Sequence, residues 1–128
     1  MSYYFTTTIE SSFEKAIEHV TAALADEGFG VLTEINVNAT LKKKLDVEFY
    51  RYQILGACHP QSAYQALQLE DKIGAMLPCN VILQEKEVGK VEVSAVDPLG
   101  SMMAVQNDKL GAVAQDVQSK LRKVIDAL

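Results

Sequence analysis

Tryptophan is missing from this chain, and aromatic residues make up only 7% of it. That scarcity weakly disfavours a carbohydrate- or base-stacking platform, which is built from aromatic rings. Two cysteines and two histidines include one adjacent pair, Cys58-His59, whose side chains point to opposite faces of a strand, and no C-x-x-C or other closely spaced set completes a zinc site. No apolar run reaches the roughly 20 residues that a membrane-spanning helix needs. The first residues, Met1-Ser2-Tyr3-Tyr4-Phe5, lack the basic start and apolar core of a secretory signal. A cytoplasmic protein is therefore expected, with free thiols and no structural disulfide. There is no phosphate loop, no G-x-G-x-x-G and no G-x-S-x-G. Gly28-Phe29-Gly30 precedes a strand and reads as a turn. Basic charge is also scarce: the net charge is -5, and the most basic run is Lys42-Lys43-Lys44. An acidic chain is repelled by phosphate backbones, so nucleic acid is not expected as a partner. No cofactor is implied.

What is present is ordinary for a globular domain. The chain has 128 residues, 48% of them hydrophobic and 23% charged. That is one domain, residues 1–128, long enough to bury a core without a metal or a cross-link.

Tyr3 to Ile9 reads as a strand, and Ser11 with Glu14 as a capping box before a helix carrying Phe13, Ile17, Val20 and Leu24 on one stripe. Gly28 stops that helix. A second strand spans Phe29 to Ile35. Asn36 then caps a short helix, Val37 to Leu45. A third strand runs from Phe49 to Cys58, with Tyr50, Tyr52, Ile54, Gly56 and Cys58 expected towards the helices, and Leu55 and Ala57 on a far face open to another subunit. Pro60 starts a helix ending near Glu70, because its missing amide costs nothing at the first helical position. Val81 to Glu85 and Val91 to Val96 form a hairpin about Val88-Gly89. The last helix begins near Asn107. The resulting order, β-α-β-(α)-β-α-β-β-α, predicts an α+β two-layer sandwich. It has a mainly antiparallel five-stranded sheet with helices packed on one face.

Strand direction then suggests a site. If the strand after the Pro60 helix starts where the third one starts, Cys79 and Cys58 lie at opposite ends, too far apart for a disulfide or a joint metal site. One end then gathers Glu34, Tyr52, Cys79, Asn80 and Asp97, with Asn36 and Arg51 beside them. Hydrogen-bonding side chains gathered at one sheet end are what a small polar ligand requires. Cys79 and Cys58 are also candidate reactive thiols. For Cys79 the sole activating cation in view is Arg51. His59 is expected to cap its helix, and His19 to lie on an exposed helix face.

At these residues the chain resembles the bacterial and archaeal family known as domain of unknown function 302. The resemblance rests on Gly28-Phe29-Gly30-Val31-Leu32-Thr33-Glu34-Ile35, on Ala39-Thr40-Leu41-Lys42, and on Tyr52-Gln53-Ile54-Leu55-Gly56-Ala57-Cys58. It continues through Leu77-Pro78-Cys79-Asn80-Val81 to Asp97-Pro98. Where this chain has His59, family members commonly have asparagine, which argues against a histidine-based mechanism. The resemblance implies a compact α+β domain that forms homodimers, and no established activity. Three readings follow: a homodimeric small-ligand-binding or accessory domain, a thiol-dependent enzyme or redox sensor using Cys79 or Cys58, and an interaction module with no small-molecule site.

Overall fold

The computed structural model describes residues 2–128. Five strands alternate with helices: β1 (Tyr4–Glu10), α1 (Phe13–Asp26), β2 (Gly30–Asn36), α2 (Val37–Leu45), β3 (Arg51–Cys58), α3 (Pro60–Leu69), β4 (Cys79–Glu87), β5 (Lys90–Val96), α4 (Pro98–Ser101) and α5 (Gly111–Asp126). Single 3-10 turns sit at Ile73–Met76 and Asp108–Leu110. The α+β sandwich is as expected, with every strand pair antiparallel.

Strand order is β1-β5-β4-β3-β2. The unit β1-α1-β2 therefore spans the whole sheet, placing its two parallel strands on opposite edges. The remaining strands fill the space between them. This is wider than a split β-α-β unit with one inserted strand.

Side-chain alternation decides which face is core. Leu55 and Ala57 of β3, Val81 and Leu83 of β4, and Val91, Val93 and Ala95 of β5 are fully buried under α1 and α5. The helices contribute Phe13, Ala16, Val20 and Leu24 from one side, and Val117, Leu121 and Val124 from the other. The expected faces of β3 are thus reversed. Leu55 and Ala57 lie in the core and are not open to another subunit, while Tyr52, Ile54 and Gly56 face away from the helices. Gly56 is required there by close approach: a Cβ would overlap Thr33 Oγ1 and lie 2.8 Å from Pro78 Cγ.

A second, smaller cluster joins Ala66, Ile73 and Leu110, with Leu77, Met102 and Val113 packed on it. It ties α3 to the start of α5. Between α1 and β2 the chain turns at Gly28, whose φ of 86° favours glycine.

Candidate functional site

The direction of β4 sets the geometry of the site. The pairing Ala57 with Cys79 and Arg51 with Glu85 makes β4 start where β3 ends. So α3 does not carry the chain across the sheet. It packs on α5, and the segment from Asp71 to Pro78 brings the chain back to the end it left. Cys58 and Cys79 consequently lie at the same end, one register position apart. This corrects the expectation that strand direction separates them. Both are free thiols. Neighbouring strand residues alternate faces, so Cys58 and Ala57, the residue paired with Cys79, point apart.

That end of the sheet holds a cavity of about 300 Å³. It lies between the main core and the smaller cluster, floored by Ala57 and Cys79 and walled by α3 and α5. Three alanines on the facing helices, Ala63, Ala66 and Ala114, leave the space. Leu32 reaches it from β2 because the register with β3 shifts between Val31 and Thr33. Its surface is almost entirely apolar. The polar groups along it are His59, Ser62 and the two cysteines.

His59 and Ser62 spend their polar atoms on each other and on the helix. His59 is the N-cap of α3, its Nδ1 accepting from the Ser62 amide at 3.4 Å and lying 2.9 Å from Ser62 Oγ. Its ring also meets Phe29 edge-on at 5.4 Å. His59 thus caps its helix, as expected, and His19 is exposed on α1.

Cys79 has no activating partner here. Burial, and secondarily the neighbouring Cys58, push its thiol up to about 11. Arg51 stands at the other end of the sheet, where it donates to Glu14 Oε1 at 2.6 Å and covers the Phe13 ring. It cannot lower the Cys79 pKa. An activated thiolate needs the opposite environment.

The five residues expected to share one polar pocket are divided among several places. Glu34 is exposed on edge strand β2, opposite Leu55. Cys79 is in the apolar cavity. Asp97 is buried and structural: its Oδ1 accepts from the Leu99 amide and from Gln118 Nε2, both at 3.0 Å, joining α4 to α5. Tyr52 and Asn80 share the open face of the sheet, but Tyr52 pairs with Gln84 and Asn80 with Gly56, four residues apart along β4. They line a shallow trough of about 480 Å³ on the open side of the sheet, with Tyr3, Tyr4, Gln84 and Glu92. An unbroken hairpin with Glu87 opposite Lys90 would place Asn80 opposite Asp97. A bulge between Gln84 and Glu87 moves that register by one residue, although Glu87 still faces Lys90 across the turn.

Sequence reasoning missed the cavity as a site. The inward alanines of α3 were readable from helical spacing. The facing Ala114, and the return path that puts Cys79 beside them, were not.

Among the described residues no group of three or more His, Cys, Asp or Glu side chains is placed to hold a metal, and no helix is long and apolar enough to cross a membrane. No curated protein matches the chain. The crystal structure of an uncharacterized conserved DUF302 protein from Bacillus stearothermophilus is similar, with a TM-score of 0.89, 26% identity and 98% of each chain covered. The family model for the domain of unknown function DUF302 matches residues 5–128. The sheet with its one-sided helices, the motif blocks from Gly28 to Pro98 and this match over nearly the full length agree, and the chain belongs to the DUF302 family.

Proposed function

We propose that this protein is a homodimeric accessory domain that binds one small, mainly apolar molecule in the cavity between the sheet end, α3 and α5. The observation that carries this reading is an apolar space of about 300 Å³ held open between two hydrophobic clusters. The pocket is open to solvent on one side, and a concave, almost wholly apolar wall favours an apolar guest over water. The ligand expected from the sequence was polar; the cavity replaces it with a hydrophobic one, with Cys79 in the wall.

The uncharged dye N-phenyl-1-naphthylamine tests this. Its fluorescence is expected to rise saturably at one site per chain. Ala63→Phe, which fills the cavity from a half-buried position, is expected to weaken binding at least about tenfold, or about 1.4 kcal/mol, with the circular dichroism unchanged. Equal binding by the Ala63→Phe variant would remove the cavity from consideration.

A further inference from the structure

Helix α2 is built unlike the other long helices. Nine residues form it, capped by Asn36 through the Ala39 amide at 2.9 Å, and none of them is buried. Yet Val37, Leu41 and Leu45 recur at four-residue spacing and make one apolar stripe. Leu45 is 66% exposed, and Val47 and Phe49 just beyond it are more than two-fifths exposed. An isolated helix of this length is marginal in water. Val37 and Leu41 are half-buried where α2 rests on β3, with Asn38 Oδ1 accepting from the Tyr52 amide at 3.0 Å. Residues 37–49 therefore form a preformed arm whose apolar far end, Leu45 with Val47 and Phe49, is uncovered.

The other half of the contact is on the same molecule. The open sheet face carries the trough whose walls are tyrosines. Four of the chain's five tyrosines gather on this side of the sheet: Tyr3 meets Tyr4 edge-on at 5.1 Å, and Tyr50 lies 6.0 Å from Tyr52. Phe49, at the base of the arm, stacks on Tyr50 at 4.2 Å, so arm and trough adjoin. Tyrosine-rich surface with a polar surround is what protein interfaces select. Here Gln84 and the Lys86–Glu92 pair, at 3.4 Å, supply the polar groups.

We infer that the occupant of the trough is the α2 arm of a second copy of this chain, each arm lying on the partner's sheet. This deepens the homodimer reading above and rests on it. Two features favour a second copy over a different protein. Arm and trough share one ring cluster, so a two-fold axis beside Phe49 and Tyr50 brings both arms onto both troughs at once. The second feature is the area that a stable contact needs. A specific interface buries roughly 800 Å² per partner. One nine-residue helix face falls short of that, and the reciprocal contact of an isologous pair doubles it.

Mixing experiments test the reciprocity. By size-exclusion chromatography with light scattering, the wild type is expected at twice 14.1 kDa. Leu45→Asp damages the arm and Tyr4→Asp the trough, both at positions more than two-fifths exposed. Glu92→Lys, at a half-buried position in the trough, serves as the trough lesion if Tyr4→Asp does not fold. Each variant alone is expected to be monomeric with unchanged circular dichroism. An equimolar mixture is expected to form dimers again, but only at a higher concentration than the wild type needs, because one of the two arm–trough contacts is then intact; a merely structural lesion would not show this. A wild-type monomer across micromolar concentrations defeats the dimer reading and this one together. Dimers that survive both single lesions, or variants that fail to complement, overturn the arm docking and leave the homodimer standing.

Discussion

Cys79 shows how a single side chain is fixed by its surroundings. Its thiol ionises at about 11 against an ordinary 9.0, because burial disfavours the thiolate. The folded state thus holds that proton to higher pH than the unfolded chain does. Stability from this group is complete below about pH 9 and falls as pH rises towards 11, by up to roughly 2–3 kcal/mol. Subtracting the melting curves of a Cys79→Ala variant from those of the wild type isolates that loss. Iodoacetamide at pH 9 is expected to modify half-buried Cys58 in the native protein and to spare Cys79 until denaturant or alkali is added, as peptide mapping would record. Rapid alkylation of native Cys79 at pH 7 would instead mark an activated thiol and revive the enzyme reading.

Among the elements, α4 depends most on one group. It has only four residues, and Asp97 holds it to α5 by accepting from Leu99 and Gln118. Removing a buried acceptor strands both donors, which costs roughly 1–3 kcal/mol. Asp97→Ala is therefore expected to lower the melting temperature clearly, and Asp97→Asn, which keeps one oxygen, to lower it less. Equal stability in all three would mean that water replaces the carboxylate. Elements of this kind were largely legible from sequence. Asn36 and Val37 to Leu45 were found residue for residue, because cap and stripe are local signals. The α1 cap lay one residue off, at Ser12 instead of Ser11. The face of β3 was misread because both faces turn apolar towards its end. Ile54 and Gly56 alternate with Leu55 and Ala57, and the tyrosines at its start favoured the wrong set. The bulges at Leu32 and after Gln84 come from tertiary pairing and leave no local trace. The direction of β4 failed for a related reason. A helix between two strands was taken as a crossover, whereas α3 is an excursion that returns to the end it left. That one choice moved Cys79 and Asn80 to the wrong end and split the expected site.

Considered whole, the molecule has two hydrophobic clusters of unequal size with a cavity between them. The larger cluster ties β3, β4 and β5 to α1 and α5. The smaller one ties α3 to its two 3-10 turns and the start of α5. With fewer buried contacts and an apolar pocket at the boundary, the α3 region is expected to open first. Native-state hydrogen exchange is expected to show α3 amides exchanging through a partial opening, and β4 and β5 amides only through global unfolding. Saturating the cavity with a bound guest should slow α3 selectively. If α3 and the central strands exchange with one common free energy, the two clusters form a single cooperative unit.

The edge position of β1 carries a consequence for synthesis in the cell. Its partner is β5, with Tyr4 facing Val96. At translation rates of roughly 5–20 residues per second, β1 waits about 5–20 s before that partner exists. During this interval α1 and β2 emerge without the strands that will separate β2 from β1. The nascent chain thus holds two future edges and no middle. An upstream strand left this long without its neighbour is a natural client for whatever meets the polypeptide at the ribosome.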